Sequence, residues 1–147
     1  MRQPERVEAP ATLPVTLAEA KAHMRVEHDD EDDLIIGLIT AATGHLDGYD
    51  GTLRRALINQ RWRQRFDCFL PQMRLALPAT AIESVTWLDA EIVSTTVPPA
   101  EYALERYAGG HVVRLLDAFT APTSLAETAP ISITYSAGYG AAPEDVP

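Results

Sequence analysis

The chain has 147 residues, of which 46% are hydrophobic and 22% are charged, and its formal net charge is −9. This composition predicts one ordinary globular domain, and the acidic balance argues against general nucleic-acid binding, because phosphate affinity comes from clustered lysine and arginine. The single Cys68 excludes an internal disulfide, and we expect it to be a small buried residue in a reducing compartment.

Charge is unevenly distributed along the chain. Residues 1–50 hold 4 basic and 11 acidic side chains, residues 51–77 hold 6 and 1, and residues 78–147 hold 2 and 9. A basic middle therefore lies between two acidic flanks. The first residues lack the apolar core of a signal peptide, and no apolar stretch reaches the roughly 20 residues that span a bilayer. We expect a soluble protein made in the cytoplasm, without a membrane partner.

The first predicted elements are a flexible N-terminal arm over residues 1–14, which contains three prolines, and a helix that begins at Thr16. Thr16 and Glu19 have the spacing of a capping box, in which the hydroxyl and the carboxylate each bind a free N–H group of the first turn. This helix is expected to end near Glu27 and His28.

A second predicted helix begins in the acidic run Asp29–Asp33 and extends to Gly51, so that helices occupy residues 16–51. The acids suit the positive end of the helix dipole and are expected to cap its free N–H groups. Apolar side chains recur at helical spacing on a wide face of this helix. We therefore expect Leu38, at the centre of that face, to be buried between the helix and a β-sheet.

Strand patterns follow over residues 57–140. In 61–66 the arginines alternate with Trp62, Gln64 and Phe66, which is typical of a half-buried strand. Gly109 and Gly110 separate two further strands and indicate a hairpin. The remaining predicted strands cover 73–77, 82–88 and 131–135. The predicted class is α+β: an N-terminal helical hairpin packed with a small antiparallel β-sheet of five or six short strands, in one domain over residues 15–147.

No known catalytic or cofactor motif appears in the sequence. The acidic run lacks the alternating ligands and central glycine of a calcium loop, and the four histidines lack metal-ligand spacing. We therefore expect no enzyme activity, no cofactor and no metal. The arginines of 54–65 fit three interpretations: a solvated strand face, pairing with acids of a neighbouring subunit, or contact with nucleic acid.

Several segments, taken in order, resemble phage head-tail connector (adaptor) proteins. They are the run from Thr16 to Val26, the acidic run 29–33 together with residues 34–42, the segment from Leu46 through Trp62, Leu77 with Pro78, residues 82–85, and residues 131–140. The resemblance covers most of residues 15–147. In that family further helices follow the segment that resembles 143–147.

The resemblance implies a structural virion protein at the head-tail neck of a tailed phage or of a phage-derived gene transfer agent. Such proteins form a ring, typically of twelve subunits, which binds below the portal protein, extends the DNA channel and docks stopper or tail proteins. DNA passes through that channel without specific binding. Two alternatives use the acidic cluster 29–33 differently: a small metal-dependent enzyme, or a free-standing protein-binding module.

The charge asymmetry indicates where neighbouring subunits of a ring would meet. Each subunit of a ring presents different surfaces to its two neighbours, and opposite charges on them favour a defined register. The acids can alternatively face the channel and repel DNA phosphates. The candidate subunit-interface residues are Asp29, Asp30, Glu31, Asp32, Asp33, Arg61, Arg63 and Arg65.

Overall fold

The structure is a computed structural model that describes residues 2–147. Within these residues, two α-helices and eight β-strands occur, with short 3-10 helices at Pro99–Glu101 and Pro143–Asp145. The bounds are β1 Glu5–Glu8, α1 Leu17–Met24, α2 Asp32–Leu46, β2 Gln60–Phe66, β3 Gln72–Arg74, β4 Ala79–Leu88, β5 Ser94–Thr96, β6 Tyr102–Tyr107, β7 Gly110–Leu115 and β8 Ile131–Ala137. The predicted α+β class is confirmed, although the strands number eight in two sheets instead of five or six in one.

Contacts between residues divide the described chain into two compact units. The first unit contains residues 2–9 and Gln60–Ala137, and therefore all the strands of the two sheets. The second unit contains Pro10–Asn59 and Gly138–Pro147, and therefore both helices. Residues 15–147, predicted as a single domain, contribute to both units.

The larger sheet has five antiparallel strands in the order β1-β2-β8-β4-β5. Its central strand, β8, alternates strictly, with Ile131, Ile133 and Tyr135 fully buried on one face. The neighbouring β2 has the predicted alternation, with Trp62 buried opposite Tyr135. These buried side chains form the core on the inner face of the sheet, while serine, threonine and arginine side chains occupy its outer face.

A correction concerns the predicted flexible arm, because Glu5–Glu8 form an edge strand paired with β2. The Arg6 guanidinium lies 5.0 Å from the centre of the Trp62 ring, and Glu8 accepts a 2.8 Å hydrogen bond from Arg61. Both partners are more than fifty residues away in sequence, so no local pattern announces this strand. Met1 lies outside the described residues.

The smaller sheet has three antiparallel strands in the order β3-β7-β6. The predicted hairpin is present, with Tyr107 opposite Gly110 where β6 turns into β7. Gln64 of β2 connects this sheet to the larger one, because its fully buried amide hydrogen-bonds the backbone of Arg74 and Ala76. The first unit therefore has a buried polar link as well as an apolar core.

In the second unit, the predicted capping box of α1 is present: the N–H of Glu19 donates to the Thr16 hydroxyl, and the N–H of Thr16 donates to the Glu19 carboxylate. These hydrogen bonds lower the pKa of Glu19. The side-chain cap expected for α2 is not formed in the described part of the chain. Its N-cap residue, Glu31, makes no side-chain hydrogen bond to the first turn. Lys21 instead connects the two helices.

The loop after α2 is held by Asp47, which is buried. Its carboxylate accepts a 2.8 Å hydrogen bond from the N–H of Leu57, and the N–H of Gly48 donates to the carbonyl of Arg55 at 2.8 Å. The end of this unit is equally close-packed, since a Cβ on Gly138 would lie 2.6 Å from the Cα of Asn59. Hydrogen bonds of Asp47 and Gly48 therefore hold the connection over residues 47–59.

Candidate assembly surfaces

The acidic start of α2 is divided between charges that are paired and charges that are not. The Lys21 ammonium lies 2.6 Å from Asp29 and 2.7 Å from Asp32. The hydrogen bond from Lys21 lowers the pKa of Asp29, and the bond to Asp29 followed by that to Asp32 raises the pKa of Lys21. Two of the five candidate acids therefore join α1 to α2 within one subunit.

The other three acids are exposed. Among the described residues, no ion pair or side-chain hydrogen bond involves Asp30, Glu31 or Asp33. Three uncompensated carboxylates in four residues repel one another, and a neighbouring cation would relieve that repulsion. These three residues form the acidic surface that remains available to a partner.

The arginines of β2 are divided in the same way. Arg61 lies 2.8 Å from Glu8 and 2.7 Å from Glu83, and the hydrogen bond to Glu8 contributes most to raising its pKa. Arg63 is half-buried and Arg65 is exposed, and neither has a carboxylate partner in the described part of the chain. The basic surface available to a partner is therefore Arg63 with Arg65.

The structure places the two candidate surfaces in different units. Arg61, Arg63 and Arg65 lie in the sheet unit, and the acids 29–33 lie in the helical unit. Contact between them in neighbouring subunits stays a prediction.

Helix α2 differs most from the sequence-based expectation. Leu38, expected in the core, is 58% exposed, and Leu34 is 60% exposed. Of the fifteen residues of α2, only Ile35 is buried. The wide apolar face is present as expected, but of that face only Ile35 is buried in the described chain. Cys68 is likewise exposed, contrary to expectation.

The described chain contains no group of three or more histidine, cysteine or acidic side chains placed to hold a metal ion. No helix in the described residues has the length and apolar character that crossing a membrane requires.

A family model and several solved structures match this chain. Residues 14–83 match the family model of phage gp6-like head-tail connector proteins. The resemblance to phage head-tail connectors is confirmed. A search of characterised proteins finds no match to this sequence.

Solved structures extend the likeness to the whole fold. A chain from the neck of an empty gene transfer agent particle, computed with C6 symmetry, matches with a TM-score of 0.73 and 22% identity, over 99% of this chain and 76% of that one. A chain from a native virion of such a particle matches with a TM-score of 0.70, 19% identity and the same coverage. A chain from the native neck, computed with C12 symmetry, matches with a TM-score of 0.69 and 19% identity, over 99% and 75%. At these identities the likeness concerns the fold.

Proposed function

We propose that this protein is a non-enzymatic head-tail connector that forms a ring in the neck of a phage or of a phage-derived gene transfer agent. The observation that carries the proposal is the family match over residues 14–83, combined with a fold shared along 99% of the chain with neck proteins. The C6 and C12 symmetry of those necks supports a closed ring, with twelve as the expected number of subunits.

In this role the ring binds below the portal protein, extends the DNA channel and offers a platform to stopper or tail proteins. The net charge of −9 suits a channel through which DNA passes without specific binding, because unneutralised carboxylates repel phosphates. The two free charged surfaces suit contact between neighbouring subunits, with Arg63 and Arg65 of one copy facing Asp30, Glu31 and Asp33 of the next.

Mass measurement with and without a portal protein tests the ring. We expect a species of high mass either alone or with the portal, and imaging of that species is expected to reveal a ring. A chain that stays monomeric under both conditions would contradict the proposed function.

Charge reversal tests the pairing of the two surfaces. Arg63→Glu with Arg65→Glu is expected to prevent ring formation, and adding Asp30→Lys with Asp33→Lys is expected to restore part of it. The control is Arg74→Glu with Arg106→Glu, which changes the net charge equally on the smaller sheet and is expected to leave the ring intact. Because these two guanidinium groups donate to the carbonyls of Gly109 and Thr80, circular dichroism is used to verify that the control variant is folded. Added salt should weaken the wild-type ring, since exposed pairs are screened over about 8–10 Å. Normal rings in the first variant would exclude this contact.

A further inference from the structure

Helix α1 has little packing of its own to hold it in place. It has eight residues, and none of them is buried. An isolated helix shorter than about 12–15 residues is marginally stable in water, and helices in proteins gain most of their stability from a packed apolar face. The capping box of Thr16 and Glu19 satisfies backbone groups within α1 and connects it to no other element. The position of α1 therefore depends on what joins it to α2.

The apolar sides of α1 and α2 are not closely packed along their whole length. An open groove of about 690 Å³ borders both helices. It is lined by Ala20 and Met24 of α1 and by Ile39 and Leu46 of α2, and both Met24 and Leu46 are exposed. Gaps of this size are absent from protein cores, and the side chains that line them lose dispersion contacts. Apolar packing thus holds this part of α1 only weakly.

Lys21 provides a charged connection between the two helices. It is the only lysine in the chain, and its side chain is 14% exposed. Its ammonium lies 2.6 Å from Asp29, which precedes α2, and 2.7 Å from Asp32, the first residue of α2. Charge-assisted hydrogen bonds of this kind are about twice as strong as those between neutral groups. We refer to Lys21, Asp29 and Asp32 together as the Lys21 clamp.

The carboxylates of the Lys21 clamp are interleaved in sequence with those of the acidic surface. Asp29 and Asp32 belong to the clamp, and Asp30, Glu31 and Asp33 form the exposed acidic surface. A cation that a neighbouring subunit brings to the acidic surface comes close to the clamp. Such a cation attracts the same carboxylates and repels the Lys21 ammonium. Occupation of the acidic surface therefore weakens the clamp.

We propose that α1 is a movable arm, which the Lys21 clamp holds in the free chain and which is released when the ring assembles. In the ring, guanidinium groups such as those of Arg63 and Arg65 of the next copy take over the carboxylates. Helix α1 then loses its charged connection to α2. This inference rests on the ring of the proposed function, and it extends that function by a conformational change on assembly.

Amide hydrogen exchange, measured by mass spectrometry, tests the clamp in the free chain. Lys21→Met removes the ammonium and keeps a long apolar side chain, so residues 17–24 are expected to exchange about tenfold faster than in wild type. Lys21→Arg keeps a cation and is expected to restore most of the protection. The matched control, Arg25→Met, removes an exposed cation just beyond α1 and is expected to leave the exchange of 17–24 unchanged. Wild-type exchange in Lys21→Met would overturn the proposed clamp.

The single lysine also allows the clamp to be followed by chemical labelling. An amine-reactive ester modifies only the uncharged amine, and the hydrogen bonds to Asp29 and Asp32 raise the pKa of Lys21. We expect Lys21 of the free chain to react about tenfold more slowly than the lysine of a short unstructured peptide. Equal rates would show that the clamp is open in the free chain and would overturn the proposal.

Comparison of the free chain with the ring tests the release. Residues 17–24 are expected to exchange about fivefold faster in the ring, while the amides of β8 are expected to exchange no faster. A hexa-arginine peptide supplies the cations without a neighbouring subunit. It is expected to accelerate exchange of 17–24 in wild type and to have little effect on the variant Asp30→Asn, Glu31→Gln, Asp33→Asn.

Two results separate this inference from the proposed function. Rings in which residues 17–24 exchange as slowly as in the free chain would overturn the release and leave the proposed function standing. A chain that forms no ring, alone or with a portal protein, would overturn both.

Discussion

The buried amide of Gln64 offers a quantitative test of how the two sheets are held together. Its side chain is fully buried; Nε2 donates to the carbonyl of Arg74 at 3.2 Å and Oε1 accepts from the N–H of Ala76 at 2.9 Å. Gln64→Leu keeps the approximate volume and removes both hydrogen bonds. The carbonyl of Arg74 and the N–H of Ala76 then lose their partner in a part-buried site.

The expected cost follows from these two groups. Each buried polar group without a partner costs about 1–3 kcal/mol, and burial of a leucine in place of an amide returns about 1–2 kcal/mol. We therefore expect Gln64→Leu to lower the free energy of unfolding by about 1–4 kcal/mol. Urea unfolding followed by circular dichroism measures this loss. The matched control is Gln72→Leu, at an exposed position of β3, which is expected to change stability by less than about 0.5 kcal/mol.

A second variant tests the same site through its pH dependence. In Gln64→Glu the acceptor for Ala76 remains, and the donor to Arg74 exists only when the carboxyl group is protonated. Burial raises the folded-state pKa of this carboxyl group above its unfolded value of about 4.3. The variant should therefore lose stability as the pH rises from about 4.3 through the folded-state pKa. A loss below about 1 kcal/mol for Gln64→Leu, together with a wild-type pH profile for Gln64→Glu, would refute a role for the amide in joining the sheets.

Three further outcomes are expected. Leu38→Ala should change the free energy of unfolding by less than about 0.5 kcal/mol, because the side chain is 58% exposed; a loss above about 2 kcal/mol would show that Leu38 is core. The pKa of Asp29 is lowered in the folded state by its pairing with Lys21. This pairing therefore stabilises the fold at pH values above 3.8, the ordinary pKa of an aspartate, and the stabilisation is lost as the pH falls through the folded-state pKa. Wild type should therefore lose more stability than Lys21→Met during acid titration, and parallel titration curves would contradict this. Gly138→Ala should cost more than about 1 kcal/mol, because φ is 142° and the new Cβ would lie 2.6 Å from the Cα of Asn59; an unchanged unfolding midpoint would exclude that constraint.

The elements that sequence patterns predicted correctly are those whose causes are local. The capping box of Thr16 and Glu19 needs only a first helical turn, and it is present. The alternation of β2 and the turn between β6 and β7 likewise depend on neighbouring residues. The missed strands, β1 and β5, are short sheet edges; β1 pairs with the distant β2, and β5 pairs by three residues with the preceding β4. A short edge strand is defined by its partner more than by its own composition.

For the candidate assembly surfaces, the sequence by itself determined that an acidic helix start and a basic strand exist. Tertiary structure alone decided which charges remain available, because Lys21 pairs with Asp29 and Asp32, and Arg61 pairs with Glu8 and Glu83. The same distinction holds for α2. Periodicity shows that α2 has a wide apolar face. Only the packing of the chain determines that Ile35 is buried while Leu34 and Leu38 face solvent, since burial depends on what the rest of the fold places against each part of that face.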